Sequence, residues 1–234
     1  MGAIFRREVV SYFTSPIGYI FLAAFYACAG LFFALTSLQY GNTDMTGMFN
    51  MLLLVLLVLV PILTMRTLSE DKKQKTDQCL LTAPVSLFGL VMGKFLAAYL
   101  IYIMGVAITV VHAIVVSVYK EPDWVLIFGN VLGLLLLGGA FIAVGVFVSS
   151  LTENQIVAAV VSFVALVLLY LMIALSSLVT IDWLSDLISE LSFASRYYEF
   201  TMGIFDFSNV LFFLSAMAIF IFLTIRVLEK RRWS

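Results

Sequence analysis

Residues 65–94 read MRTLSEDKKQKTDQCLLTAPVSLFGLVMGK, five basic and three acidic side chains set between two long apolar runs. What flanks this stretch decides what it is. The chain of 234 residues is 63% hydrophobic and 12% charged, whereas soluble domains are about half apolar and about a quarter charged. A water-soluble globule of this size cannot hide so much apolar surface. The composition therefore predicts an all-α integral membrane protein, in which residues 65–94 join two membrane spans.

Crossing a bilayer core takes about 20 apolar residues in a helix, because lipid offers no partner to an open backbone N–H or C=O. Six segments qualify: 16–38, 48–65, 89–118, 124–151, 155–179 and 209–227. The second is short and carries Pro61, which predicts a kink. The first exceeds a signal-peptide core and no small-residue cleavage site follows it, so it is expected to stay as an anchor. A net charge of −1 says nothing about partners here, since placement matters more than the sum. Six spans put both termini on one side. That side holds Arg6, Arg7, Arg66, Lys72, Lys73, Lys75, Lys94, Arg226, Lys230, Arg231 and Arg232, and the other only Lys120 and Arg196. An eleven-to-two split predicts cytoplasmic termini in a multi-pass protein of a plasma membrane.

Three pieces do not span. At residues 1–15, Phe5, Val9, Tyr12 and Phe13 fall at helical spacing with Arg6, Arg7 and Ser11 elsewhere, the pattern of an amphipathic helix on the membrane surface. The segment 180–208 is too long for a turn. Leu184, Leu187, Ile188 and Leu191 share one face against Asp182, Asp186 and Glu190, and a second short helix is expected near 196–202, half-embedded at the outer surface. In the loop 66–88, Thr67-Leu68-Ser69-Glu70-Asp71 offers a hydroxyl and two carboxylates suited to a helix start, since anions favour an N-terminus, and Thr82-Ala83-Pro84 suits its end. The expected product is one transmembrane domain over 1–234 with a short helix lying across the membrane surface between spans two and three. A cytoplasmic loop is charged simply because it is wet; the acids and their order ask for more than that.

Several chemistries find no support. No G-x-x-x-x-G-K-[ST] phosphate loop is present; residues 89–94 end in Gly-Lys, but Phe95 follows. One histidine, His112, and two cysteines, Cys28 and Cys79, make no multi-ligand metal site or redox motif. No nucleophile–base set suggests an enzyme, and no feature suggests nucleic acid as a partner. An ion-driven carrier would want a buried acid pair or an inverted repeat, and neither is visible. His112, as an intramembrane ionisable residue, lines a pathway or bonds a neighbouring helix. Ser162 and Tyr170, on the uncharged fifth span, are ambiguous in the same way. Gly89-x-x-x-Gly93 and Gly129-x-x-x-Gly133 permit close helix approach, for which internal packing is the plainer reading.

The loop resembles the permeases of ABC-2 type ATP-binding-cassette transporters, and more narrowly the gliding-motility-associated and nitrous-oxide-reductase-maturation permeases. Their pattern is met by Met65-Arg66-Thr67-Leu68-Ser69-Glu70-Asp71, then Thr76, Leu80-Leu81-Thr82, Pro84-Val85-Ser86 and Gly93-Lys94-Phe95-Leu96-Ala97. The likeness recurs in Arg7-Glu8, Tyr12-Phe13 and Ser15-Pro16, in Tyr198-Glu199-Phe200, and in Leu228-Glu229-Lys230-Arg231-Arg232. Lys75 stands where the family has Gly, Gln78 where it has Glu, and Tyr197 where it has His, so the loop is expected to bend differently and the role of that His is not carried over.

The resemblance implies that the loop is a coupling helix docking on a separate ATPase subunit, through Glu70, Asp71, Lys72, Lys73 and Thr76, with a smaller contact at residues 149–154 including Glu153. It implies an exporter permease working by alternating access, with ATP and magnesium held by the partner and no cofactor in this chain. It also implies a second permease copy, or a paralogue, with His112, Ser162 and Tyr170 as pathway candidates. The alternative is a mechanotransmitter that passes ATP-driven motion through the outer helices to an extracytoplasmic accessory protein.

Overall fold

A computed structural model describes residues 2–39, 41, 43–76, 86–119, 121–176, 183 and 188–233, and among these the fold is helical with no strand. Helix α1 covers Gly2–Thr14, and α2 covers Pro16–Phe33 and continues through a π turn at Ala34–Leu38. Helix α3 is Thr46–Thr64, running through Pro61; α4 is the short Ser69–Lys73; α5 is Leu87–Tyr119. Helix α6 is Trp124–Leu151, α7 Gln155–Ser176, α8 Phe193–Thr201 and α9 Phe207–Trp233. Helices α2, α3, α5, α6, α7 and α9 are each long and apolar enough to cross a membrane, as the six-span reading requires. Helix α9 outruns its expected end because Lys230, Arg231 and Arg232 occupy its last turn, where cations favour a helix C-terminus.

Helix α6 forms the axis. It is apolar around its whole circumference, the signature of a helix buried on every side, and 78% of its most apolar window is covered, against 17% for α7 and for α9. Helices α3, α5, α7, α8 and α9 all pack on it. The outward faces of α2, α7 and α9 remain apolar and uncovered, with Tyr19, Ile156, Val160, Leu168, Ile219 and Phe222 among the exposed side chains. Such faces are stable only against lipid or another greasy surface.

Helix α1 keeps its expected apolar face but lays it on α5 and α2. Ile4, Phe5, Val9 and Phe13 pack on the core and Tyr12 is buried. Gly93 makes the approach possible: a Cβ there would lie 3.0 Å from Ile4 Cγ2 and 3.3 Å from the Phe5 nitrogen.

The larger departure is α8, which is embedded rather than lying at the outer surface. At its start Phe193 stacks with Phe141 at 6.0 Å, seventeen residues after Trp124 and so about 25 Å along α6 at 1.5 Å per residue. At its end the Phe200 carbonyl would lie 2.7 Å from a Cβ on Gly129, and Phe205 meets Phe128 at 5.9 Å. The helix therefore rises from the middle of the bundle towards the end where α6 begins. Phe193, Tyr197 and Phe200 are buried, and the Tyr197 hydroxyl donates to the Phe49 carbonyl at 3.4 Å. The Leu184–Leu187 face and Asp182 and Asp186 lie outside the described residues, as do Cys79, residues 80–85 and Lys120.

Candidate functional site

The polar connection folds back onto the bundle as soon as α3 ends. A helix start leaves backbone N–H groups without intrahelical partners, and α4 takes its acceptor from a distant helix. The Leu68 and Ser69 nitrogens both donate to Ser149 Oγ at 3.1 Å, and Ser149 Oγ donates on to the Met65 carbonyl at 3.2 Å. At the other end of α4, Lys72 Nζ donates to the Ser150 carbonyl, at the C-terminus of α6, where the helix carries partial negative charge. Helix α4 is bolted to α6 at both ends.

A second fastening joins three segments far apart in sequence. Lys94, in the third turn of α5, has a side chain 2% exposed and lies 2.7 Å from Asp71 Oδ2, 3.0 Å from Glu8 Oε1 and 2.6 Å from the Thr67 carbonyl. Arg7 Nη2 stands 3.3 Å from Glu8 Oε1 and 3.6 Å from Asp71 Oδ1, and Thr76 Oγ1 donates to Asp71 Oδ1 at 3.1 Å. Two cations thus face two carboxylates, which balances charge taken out of water. Beside them Arg66 grips Glu70 with two bonds, Nε to Oε2 at 2.5 Å and Nη2 to Oε1 at 2.9 Å, the planar fork geometry of a strong pair. Burial pushes the Tyr12 phenol up, Glu8 adds to the effect and Arg66 opposes it; the protonated hydroxyl donates to the Leu63 carbonyl at 3.1 Å. A cavity of about 130 Å³ opens among Arg7, Glu8, Arg66, Glu70, Gln74 and Lys94.

The six contact candidates therefore separate. Glu70 is half-buried and Lys73 exposed. Asp71 and Lys72 are buried and spent on internal partners, so the expectation that they face outward is corrected: α4 is amphipathic, and its next-door acid and lysine point into the bundle. Thr76 is half-buried against Asp71. Glu153, in the turn between α6 and α7, lies 3.0 Å from Arg231 Nη2 of α9, so it shares this end of the bundle with α4. Lys75 turns left-handed at φ 57°, so the chain makes here the bend that glycine favours, without one.

The pathway candidates do not share one surface. The His112 ring stacks on Phe33 of α2 at 4.6 Å and 8°. Ser162 is buried and Tyr170 half-buried on α7, which packs on α3, α6 and α8.

Lys94 was visible to sequence reasoning only as a topology marker and a motif letter, Glu8 as a motif letter and Ser149 as part of a loop. The available signal was Lys94 itself, a charge placed eight positions into a helix that is otherwise uncharged to its end. Its two partners, distant in the chain, carry no such mark.

Residues 33–233 match the family model described as ABC-2 family transporter protein. A search of curated proteins finds no match.

Proposed function

This chain belongs to the ABC-2 transporter family, and from that premise we propose that the end bearing α4 is the docking face for a nucleotide-hydrolysing subunit. The family makes the chain a membrane permease of an ABC transporter and implies an ATPase partner. In our reading this end faces the cytoplasm, Glu70, Lys73 and Thr76 meet the partner, and Glu153 adds a smaller contact. ATP and magnesium stay on the partner and this chain performs no hydrolysis. Two permease copies, paired through apolar faces such as that of α7, rearrange between access states when the ATPase pair closes. Nucleotide acts only through its preference for one arrangement.

The observation that carries this reading is the mounting of α4. A helix of five residues has little stability of its own, yet here it is held by Ser149, Ser150 and Lys94 with Glu70 and Lys73 on its outer side. A push on those two residues reaches α5 and α6 through fixed bonds. The embedding of α8 favours transport over transmission to an outside protein, because Phe193, Tyr197 and Phe200 are committed to the core.

The test uses the permease purified with its ATPase subunit. Reversing the exposed outer charge, Lys73→Glu, which leaves the Arg66–Glu70 pair in place, is expected to lower substrate-dependent ATP hydrolysis about tenfold, a change of about 1.4 kcal/mol, while the permease stays folded in the membrane. Undiminished hydrolysis in a complex of normal stoichiometry rejects the docking face. Asp71 is unsuitable for this test, since reversing it would unseat Lys94.

A further inference from the structure

Helix α9 ends in a basic stretch, with Arg226, Lys230, Arg231 and Arg232 against Glu229. The residues before it in the helix, 207–225, carry no charge and rise about 28 Å, close to the ~30 Å hydrocarbon core of a bilayer. Arg226 therefore stands at the depth where lipid phosphates begin. The outward stripe of α9 runs straight into these charges. Ile219, Phe222 and Leu223 are exposed, and Arg226 and Lys230, also exposed, follow on the same side at helical spacing. The Arg226 guanidinium lies 5.0 Å above the Phe222 ring, turned back towards the apolar stripe rather than out past the helix end. Its Nη1 donates to Glu229 Oε2 at 2.7 Å, one bond for a group with five N–H donors. Arg231, on the flank, pairs with Glu153. Four cations against these two carboxylates leave the rim positive.

We propose that this end of α9 binds an anionic phospholipid. The acyl chains lie along Ile219, Phe222 and Leu223, and Arg226 and Lys230 hold the phosphate. A planar guanidinium suits phosphate because two N–H groups can meet two oxygens, and Lys230 adds a point charge one turn, about 6 Å, further out. A phospholipid alone presents acyl chain and phosphate in this order and at this depth. A zwitterionic head group would bring its own cation beside a positive rim, whereas an anionic one brings none, so the rim selects by charge. The assignment is independent of what docks on α4.

The test is photo-crosslinking in mixed phosphatidylcholine–phosphatidylglycerol nanodiscs, with the permease alone and with its ATPase subunit. Phosphatidylglycerol and phosphatidylcholine probes carry the same diazirine near the head of one acyl chain, and mass spectrometry counts insertions into residues 219–230. Each basic side chain at an anionic surface is worth about fivefold and Glu229 offsets part of it, so the phosphatidylglycerol probe is expected to label about tenfold more. In Arg226→Gln/Lys230→Gln the two probes are expected to label alike, with the phosphatidylcholine yield unchanged as the sign that the helix still stands in lipid. Equal labelling in the wild type, or a preference that the double variant keeps, overturns the site. Labelling that disappears once the ATPase subunit binds assigns the surface to that subunit instead, and labelling by neither probe assigns it to a second permease copy; either result overturns the lipid reading.

Discussion

At the end that carries α4, Lys94 holds carboxylates from two other segments, Glu8 and Asp71, and is almost wholly buried. At the other end Arg196 of α8 donates to Asn209 Oδ1 at 2.9 Å and pairs with Glu190, whose side chain is 68% exposed. Asn209 in turn donates to Glu199 Oε2 at 2.5 Å, and the guanidinium lies 5.6 Å above Phe212. Both networks fasten a short helix to the bundle. The first ties residues 86 positions apart around a buried ammonium, with only Arg7 reaching water at its rim; the second stays within residues 190–209 and lets one partner reach solvent. A local, half-wet network can open and reclose without unfolding its surroundings, whereas the distant, dry one cannot be broken without stranding a charge. The contrast suits a rigid mount at one end and an adjustable segment at the other.

The largest effect is expected at the dry network. Lys94→Met leaves Glu8 and Asp71 only Arg7, at the wet rim, as a cationic partner, and a loss of about 3 kcal/mol in unfolding free energy in detergent is expected, the low end for breaking a buried pair. Adding Glu8→Gln and Asp71→Asn to that variant is expected to restore much of it, and a triple variant no better than the single one breaks the account of Lys94 as the centre. A smaller effect is expected at the other end. Asn209→Ala removes the acceptor of Arg196 and the donor of Glu199, at about 1–3 kcal/mol. Hydrogen exchange in α8 should rise with little change in α4; equal changes at both ends would show that the two networks are not independent. The smallest effect has the opposite sign. Lys75→Gly relieves a left-handed lysine and is expected to stabilise by about 1 kcal/mol, read as a higher melting temperature. A fall would mean that the Lys75 side chain contributes more than its backbone costs.

Much of the architecture was legible because lipid is a strict solvent. Runs of about 20 apolar residues have one stable form in it, and the spans 16–38 and 124–151 agree with the helices that form there. A helix start within Thr67–Asp71 was legible for the same kind of local reason, the preference of anions for an N-terminus, and α4 begins there at Ser69. The direction in which Asp71 and Lys72 point was not, because five residues carry too little pattern to fix a face. The depth of α8 was also hidden. Nothing in Phe193–Thr201 says whether its aromatic side meets lipid headgroups or the small residues Gly129 and Gly133 of α6.

By itself, then, the order of residues determined the number of spans, the segregation of basic charge to one side and the presence of a polar connection after the second span. These follow from solvation and helix geometry, which act on each segment alone. Only the tertiary structure decided that Lys94 is the buried partner of Glu8 and Asp71, that Ser149 caps a helix eighty residues earlier, and that α8 enters the bundle. Pairing energies depend on which distant groups meet in a low-dielectric interior, and that is settled by packing around α6 rather than by any one stretch of chain.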